Sequence, residues 1–380
     1  MKLKIGTISL LLFILAFFMM IAACFNPWRG EEATGTLIIM LGGGTSRVTI
    51  EYPPDNDIID KLEHRITFTG TAVFPHENPI IIPTSQFQTQ VQVTNLPVNS
   101  VWNIKIDALL SNNPYAQGTI NNITISSGSN AVTINMNPVF PDAGADKVWL
   151  ESRDNNLTSS YLDLNAALVQ GNLNNGTNFI VWIIESHSSN PIAIPSDKNI
   201  TLRPVSSDVT ITLNNDGSLF TVDTDTTLTL TNGINLVGVQ NNNVSLIRVN
   251  DGIFNMDGGS ISGNENTTGN GGGVYVNGGS FAMRGGTIFG NTTVNRGGGV
   301  YVDLNGSFTK TSGGIIYGLN ETDINLKNTA VFEGHAVYAV YDNILGYDLF
   351  RAKNNTAGSS DSLDSQLSIA DGGGWDSEDP

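Results

Sequence analysis

Four aspartates lie near one another in the sequence and are the best candidates for chemistry: Asp223, Asp225, Asp251 and Asp257. Two carboxylates at a set separation can cleave a glycosidic bond, with one protonating the leaving oxygen. Asp223 and Asp251 fall at predicted turns, however, where aspartate is favoured because its side chain bonds to nearby backbone. We therefore favour turn chemistry and solvated faces and predict no catalytic residue, with a carbohydrate-cleaving site as the alternative.

Other residue types that catalyse reactions or bind metals are scattered along the chain. The four histidines lack the spacing of metal ligands: His64, His76, His187 and His335. The glycine runs at 271–273 and 297–299 are not followed by the Lys-Ser/Thr pair and helix of a phosphate-binding loop. The sequence therefore predicts neither a metal site nor a cofactor site.

The chain's single cysteine, Cys24, lies where an export signal would end. Lys2 and Lys4 precede a mostly apolar run over 8–21, which closes with the letters IAAC. A basic start, an apolar stretch and small residues at its end are typical of a signal peptide, here residues 1–23. A membrane-spanning anchor is the alternative, but it would need about 20 apolar residues.

This segment resembles the bacterial lipoprotein signal with its lipobox. The resemblance implies cleavage before Cys24, followed by acylation of its thiol and new amino group with fatty acids such as palmitate. Lipid chains would hold the protein at a membrane because each buried methylene contributes about 0.8 kcal/mol, and residues 24–34 would be the lipidated tether. Phe25 stands where some lipoproteins carry the aspartate that retains them at an inner membrane. We therefore expect the protein in the bacterial cell envelope, at the outer membrane and exposed on the surface.

The composition excludes several classes of function. The 380 residues carry a net charge of −17, so phosphate repulsion disfavours binding to nucleic acid. One cysteine excludes an internal disulfide framework. A charged fraction of only 14% with 41 glycines favours an all-β chain with many turns.

Residues 35–140 are predicted to form a β-sandwich. Short segments alternate apolar and polar residues, as strands with one buried face do. About seven such strands in this length fit an immunoglobulin-like or transthyretin-like sandwich. The predicted strands are TLIIML, RVTIEY, RITFTGTAVF, FQTQVQVTNL, VWNIKIDAL, GTINNITI and AVTINMNPV. We interpret this module as a spacer, with a binding face as the alternative.

Residues 146–352 contain a repeat of about 27 residues. Each repeat holds three short apolar clusters between Gly/Asn turns, and none is long enough for a helix. Three short strands per coil of constant length predict a parallel β-helix, in which equivalent residues stack about 4.8 Å apart. The predicted columns are Ile234, Ile261, Ile288 and Ile315; Phe254, Phe281 and Phe308; Val222, Val249, Val276 and Val302; and Gly259, Gly286 and Gly313.

Two further columns are predicted from the same spacing. Residues 223, 250, 277 and 303 are all Asp or Asn, which suits side chains that bond to their own turn backbone. Asp257, Arg284 and Lys310 share one offset from the valines, so Asp257 and Arg284 are expected to be neighbours on the outer face. We expect an exposed pair there, with part of a ligand surface as the alternative.

The ends of the β-helix need caps because they expose apolar side chains and unpaired backbone. A helix beginning at Ser160 and ending near Gly171 is predicted to cap the first coil, because Leu164, Ala167 and Leu168 have helical spacing. Residues 353–380 are polar and acidic, and a flexible tail is predicted there. About seven coils would make a rod of roughly 35 Å.

The region around 160–350 resembles the pectate-lyase-like right-handed β-helix superfamily. Its units GGSISGN at 258–264 and GGTIFGN at 285–291 are similar to repeats of polymorphic outer-membrane proteins, although the Phe-x-x-Asn of those repeats is absent. The resemblance implies a right-handed parallel β-helix. It also implies that an enzyme of this superfamily would need clustered acids holding Ca²⁺ near a basic residue.

We expect a lipid-anchored surface protein that displays its β-helix as a non-enzymatic, adhesin-like or structural envelope surface. Its partners would be the membrane, through lipid on Cys24, and host or environmental glycans or proteins. Tyr275 and Tyr301, 26 residues apart, would offer hydroxyls and rings to such ligands. A polysaccharide lyase or glycosidase of the pectate-lyase-like superfamily is the alternative.

Overall fold

The computed structural model describes residues 34–43, 62–84, 90–110, 113–139, 146–154, 157–205, 208–311, 313–342, 348–365 and 374–378. The described residues up to 139 belong to one compact unit, and those from 146 onward belong to a second. The predicted signal 1–23, Cys24 and nearly all of the tether lie outside these ranges. None of the helices in the described part of the chain has the length and apolar character to cross a bilayer.

The first unit is a β-sandwich, as the sequence predicts. Its strands are β1 (Thr34–Gly43), β2 (Leu62–Gly70), β3 (Ile80–Ile82), β4 (Gln90–Pro97), β5 (Val101–Leu110), β6 (Asn113–Thr124) and β7 (Gly128–Pro138). One layer has the order β3-β2-β5-β6 and the other β4-β1-β7, with a short β6–β7 pairing joining them. β1 pairs antiparallel with β4 and parallel with β7. The predicted strand RVTIEY lies outside the described residues.

The sandwich core follows from the alternation of apolar residues. Ile104 and Ile106 of β5 are buried, and Trp102 stands at the start of the same inward row. The Trp102 ring meets Phe68 edge-on at 6.2 Å. Its indole nitrogen donates to the Ser100 hydroxyl at 2.7 Å, so the polar end of the ring is satisfied inside the core.

The second unit is a right-handed β-solenoid of many short strands. Its elements in chain order are β8 (Val148–Ser152), β9 (Leu157–Tyr161), α1 (Leu164–Ala167), a 3-10 helix (Gln170–Leu173), β10 (Asn178–Ile183), β11 (His187–Ser189), β12 (Ile192–Ala193), β13 (Asn199–Pro204), β14 (Val209–Leu213), β15 (Phe220–Val222), β16 (Thr227–Leu230), β17 (Ile234–Val237), β18 (Ile247–Val249), β19 (Ile253–Met256), β20 (Ser260–Ser262), β21 (Glu265–Asn266), β22 (Val274–Val276), β23 (Gly279–Met283), β24 (Thr287–Phe289), β25 (Thr292–Thr293), β26 (Val300–Val302), β27 (Gly306–Lys310), β28 (Ile315–Ile316), β29 (Thr329–Ala330), β30 (Val337–Asp342), β31 (Asp348–Lys353), β32 (Leu363–Asp364) and β33 (Ser377–Glu378).

Successive coils stack their strands in parallel. The first sheet contains β10, β13, β16, β19, β23 and β27, the second runs from β11 to β28, the third from β12 to β30, and a short fourth sheet contains β21, β25 and β29. Phe254, Phe281 and Phe308 stand over one another, with ring centres 4.8 and 5.1 Å apart. The predicted phenylalanine column is therefore confirmed. The valine column is also confirmed by pairing from Val222 through Val302.

The predicted isoleucine column is only partly correct. Ile261 stands over Ile288, but the column continues to Leu236 on one side and Ile316 on the other. Ile234 and Ile315 instead pair with residues of the neighbouring coils at other positions. The reason is that turn lengths vary. The turn from the first to the second sheet is one residue longer in these two coils than in the coils between them, which places Ile315 one position before Ile316. In the coil of Ile234, the turn between Val222 and Leu228 is also one residue longer than its counterpart after Val249, so Ile234 lies two positions before Leu236.

The solenoid is shorter than predicted. Six parallel strands stack in each of the three long sheets, so the described solenoid has six levels of strands and about five turns between them, against the seven coils predicted. The segments at both ends pair antiparallel with the stack: β8 and β9 at the beginning, and β31, β32 and β33 at the end. These hairpin-like pairings cover the end strands and so replace further coils.

The cap at the start of the solenoid forms as predicted, but its helix is a single turn. It begins after Asp163, whose side chain accepts a hydrogen bond from the Ala166 backbone N–H at 2.8 Å, so Asp163 rather than Ser160 is the N-cap. Leu164 and Leu168 are buried in the core of the first coils. The cap thus covers the apolar end of the stack.

The predicted flexible tail is in large part a second cap. The described residues of this range include Leu363 and Trp375, which are 1% and 6% exposed within the solenoid core. The Trp375 indole donates to the Asp364 carbonyl at 3.0 Å. Acidic composition misled the prediction because a few well-placed apolar residues suffice to anchor the segment on the last coil.

Candidate functional site

The four aspartates do not form one group. Asp223 and Asp225 lie in the turn before β16, and Asp251 lies in the equivalent turn before β19. Asp257 follows β19, whose four residues span about 13 Å. Within the described ranges, no cluster of three or more His, Cys, Asp or Glu side chains is placed to hold a metal ion.

The aspartates that precede β16 and β19 help to form the turns in which they lie. Asp225 and Asp251 adopt positive φ angles of 59° and 62°, a conformation that Asp and Asn tolerate better than most residues. The Asn250 amide donates to Asp223 at 3.0 Å, and Asn277 reaches Asn250 at 3.5 Å. Asp223, Asn250 and Asn277 of the Asx column therefore bond along the stack, from coil to coil. Asp303 bonds to its own turn as predicted, accepting from the Leu304 backbone N–H at 2.9 Å.

Asp257 and Arg284 are neighbours on the outer face, as predicted. The Arg284 guanidinium donates to Asp257 at 2.9 Å and to Asn255 at 3.2 Å. The side chain of Arg284 is 55% exposed and that of Asp257 is 46% exposed. Such a pair contributes little because water screens it.

We expect Arg284→Gln to change the free energy of unfolding by less than about 0.5 kcal/mol, because exposed ion pairs are weak. Urea denaturation of the full chain would measure this. A loss above about 1 kcal/mol would show that the pair is a structural contact of the stack.

Lys310 does not join this outer column. It pairs with Met283 and is 1% exposed, because the turn between Val302 and Phe308 is one residue longer than the equivalent turn between Val276 and Phe281, which turns Lys310 inward. Its ammonium donates to the carbonyls of Gly358 and Asp361 at 2.7 and 2.6 Å. Burial lowers the pKa of Lys310, while the charge of Asp361 acts in the opposite direction. Lys310 therefore fastens the second cap to the last coil.

Two of the four histidines lie in the β-sandwich unit and two lie in the solenoid unit. His64 is fully buried in β2, and burial lowers its pKa to about 4. His76 lies in an exposed loop of the same unit, with its ring nitrogen 2.7 Å from the Thr94 carbonyl. In the solenoid, His187 lies 2.8 Å from the Glu185 carbonyl. Burial and then the charge of Lys327 lower the pKa of His335.

A buried asparagine ladder, which the sequence reasoning missed, runs through the corner after the second sheet. Asn264, Asn291 and Asn328 are at most 1% exposed. The Asn291 side chain accepts from the Asn264 backbone N–H at 3.2 Å and donates to the Asn328 side chain at 3.0 Å. It also donates to the carbonyls of Ile261 and Phe289. The sequence carried a signal for this ladder, because the repeat units GGSISGN at 258–264 and GGTIFGN at 285–291 both end in Gly-Asn.

An aromatic ladder lines the outer face of the third sheet. Tyr275 stands over Tyr301, as their spacing indicated, and the stack continues through Tyr338 to Phe350 with ring centres 5.2 to 5.6 Å apart. Tyr301 and Tyr338 are only 7% and 5% exposed. The rings cover one another, so edges and hydroxyl groups rather than ring faces meet the solvent.

At the start of this ladder, Tyr275 contacts two charged side chains. The Arg248 guanidinium lies 5.1 Å from the Tyr275 ring centre, and the Tyr275 hydroxyl donates to Asp303 at 2.7 Å. Burial and this hydrogen bond raise the pKa of Tyr275 to about 12. Burial and the charge of Asp303 also raise the pKa of Tyr301. Both phenols are therefore neutral hydrogen-bonding groups at neutral pH.

Comparison with known proteins returned no match among family models, curated proteins or solved structures. What this chain does is therefore inferred from its own residues and fold.

Proposed function

We propose that this chain is a lipid-anchored protein of the bacterial cell surface whose β-solenoid serves as a non-enzymatic interaction surface, adhesin-like or structural. The observation that carries the proposal is the regular register of outward side chains. Thr229, Asn255, Ala282 and Thr309 follow one another on successive coils of the first sheet, and none is fully buried. A stiff stack with small, mostly polar side chains at constant spacing suits recognition of an extended partner.

The positions of the aspartates support a non-enzymatic role over the alternative enzyme. Asp251 and Asp257 lie at opposite ends of β19, and Asp257 is engaged with Arg284. Paired catalytic carboxylates would need to face one substrate bond. The alternative function is a carbohydrate-cleaving enzyme exposed on the cell surface.

Binding and turnover assays on the full chain in detergent micelles test this role. We expect saturable binding on an array of glycans and extracellular proteins, together with no unsaturated products from acidic polysaccharides. Clear turnover would overturn the non-enzymatic proposal, and an array without any bound partner would contradict the interaction surface.

Lipid attachment depends on Cys24. We expect Cys24→Ser to abolish incorporation of labelled palmitate and to leave the signal uncleaved, because no thiol remains to be acylated. Phe25→Asp is the matched control, since it retains the thiol and should keep the label while shifting the protein toward the inner membrane. Undiminished labelling of Cys24→Ser would refute the anchor.

A further inference from the structure

Arg296 of the solenoid has no acidic partner among the residues that the structure describes. Arg296 follows β25, and its guanidinium carbon lies 5.3 Å from the ring centre of Phe332 and 5.4 Å from that of Tyr338. Its Nε is buried and donates to no acceptor in the described ranges. By contrast, Arg284 on the outer face is paired with Asp257. A guanidinium held against two rings keeps its orientation without using its in-plane donors.

Exposed apolar side chains surround this arginine. Val294, Val331 and Phe332 are 44%, 67% and 57% exposed. They are contiguous, because the backbone N–H groups of Val331 and Phe332 bond to residues 293 and 295 of the preceding coil. We call Val294, Arg296, Val331 and Phe332 the Arg296 corner.

A second cation lies near this corner. The net charge is −17, but Lys327 lies close enough to His335, near this corner, to help lower the pKa of that histidine. No ion pair joins Arg296 to the adjacent Glu333 or to another carboxylate among the described residues. The corner therefore offers a preoriented cation that forms no ion pair with a carboxylate of the described residues.

The composition of the corner selects the class of ligand. The Nε of Arg296 is buried, so the terminal N–H groups are the donors that a ligand can reach; two such groups match a carboxylate, which can accept two parallel hydrogen bonds. Two of the three exposed apolar residues are valines, which bury well against apolar side chains, whereas sugars bind mainly through aromatic faces and several polar groups. Arginine and aromatic residues are also enriched where protein interfaces carry most of their binding energy.

We propose that the Arg296 corner docks a segment of another protein in which a carboxylate side chain stands beside an apolar one. This inference rests on the proposed interaction role and deepens it by naming a polypeptide partner. The carboxylate pairs with the Arg296 guanidinium, and the apolar side chain covers Val331 and Phe332.

Selection of a random-peptide phage library tests the proposal. The full chain in detergent micelles serves as bait, with counter-selection on the Arg296→Gln variant. We expect enriched peptides to carry Asp or Glu next to a large apolar residue. A resynthesised peptide should bind the Arg296→Gln variant at least about tenfold more weakly, as for an interface hot spot. Arg296→Lys should not restore binding, because an ammonium lacks the planar fork.

Two controls make the outcome decisive. Arg284→Gln should leave peptide affinity unchanged, and Val331→Ser should weaken binding without affecting folding, because that side chain is exposed. The proposal is overturned if no enriched peptide depends on Arg296, or if acidic oligosaccharide probes bind in an Arg296-dependent manner and peptides do not. The array of glycans and extracellular proteins separates the two proposals. If the Arg296→Gln variant binds the array as the wild type does, only the docking role of the Arg296 corner is wrong. If the wild-type chain binds nothing on the array, the proposed interaction function is wrong.

Discussion

Asn291→Ala is expected to destabilise the solenoid by about 3–5 kcal/mol. The Asn291 side chain is fully buried and serves four partners at once. Alanine would leave the Asn264 backbone N–H and the carbonyls of Ile261 and Phe289 without this bond inside the stack. Each buried group left unsatisfied costs about 1–3 kcal/mol, and water cannot enter readily to replace the amide.

Urea denaturation followed by ¹⁹F NMR of 5-fluorotryptophan would measure this change, because Trp375 lies in the solenoid core. Asn277→Ala is the matched control: Asn277 is exposed and makes one long bond of 3.5 Å to Asn250. We expect the control to lose less than about 1 kcal/mol. Equal losses in the two variants would mean that the ladder adds nothing beyond ordinary turn bonding.

The sandwich is expected to lose about 3 kcal/mol of stability between pH 6.5 and pH 4 through His64. Burial lowers the pKa of His64 from 6.5 to about 4 in the folded unit. Between these values the unfolded chain binds a proton that the folded chain does not, so acidification favours unfolding. The contribution is fully present above pH 6.5 and is lost as the pH falls toward 4.

The fluorine signal of Trp102, which is 1% exposed in the sandwich core, reports this unit separately. His64→Leu should remove most of the slope of stability against pH in this window, whatever its effect on absolute stability. His76→Gln should retain the slope, because His76 lies in an exposed loop. An unchanged slope in His64→Leu would show that other groups cause the acid sensitivity.

The pattern of apolar residues was sufficient to predict the architecture. Stacked coils bring equivalent positions together, so a period near 27 residues with Phe254, Phe281 and Phe308 in phase already implies a solenoid with an aromatic interior row. The sandwich strands were predictable for a similar reason, since alternation in a segment such as Val101–Leu110 reflects one buried face. The pairing of Asp257 with Arg284 followed from the same spacing.

Positions governed by turn length were not predictable from a constant period. A single added residue rotates every following side chain to the other face of a strand. This effect turns Lys310 inward over Met283 and moves Ile315 out of the interior row.

The sequence by itself determined the periodic core, the alternating sandwich strands and the neighbours that lie one coil apart, because burial of apolar residues imposes these patterns directly. Only the tertiary structure decided which of the buried polar groups find partners. The Asn291 bonds, the packing of Leu363 and Trp375 on the last coil and the lack of an ion pair from Arg296 to any described carboxylate all depend on contacts between segments whose relative position is set by irregular turns. Hydrogen-bond partners depend on geometry that residue types alone do not specify.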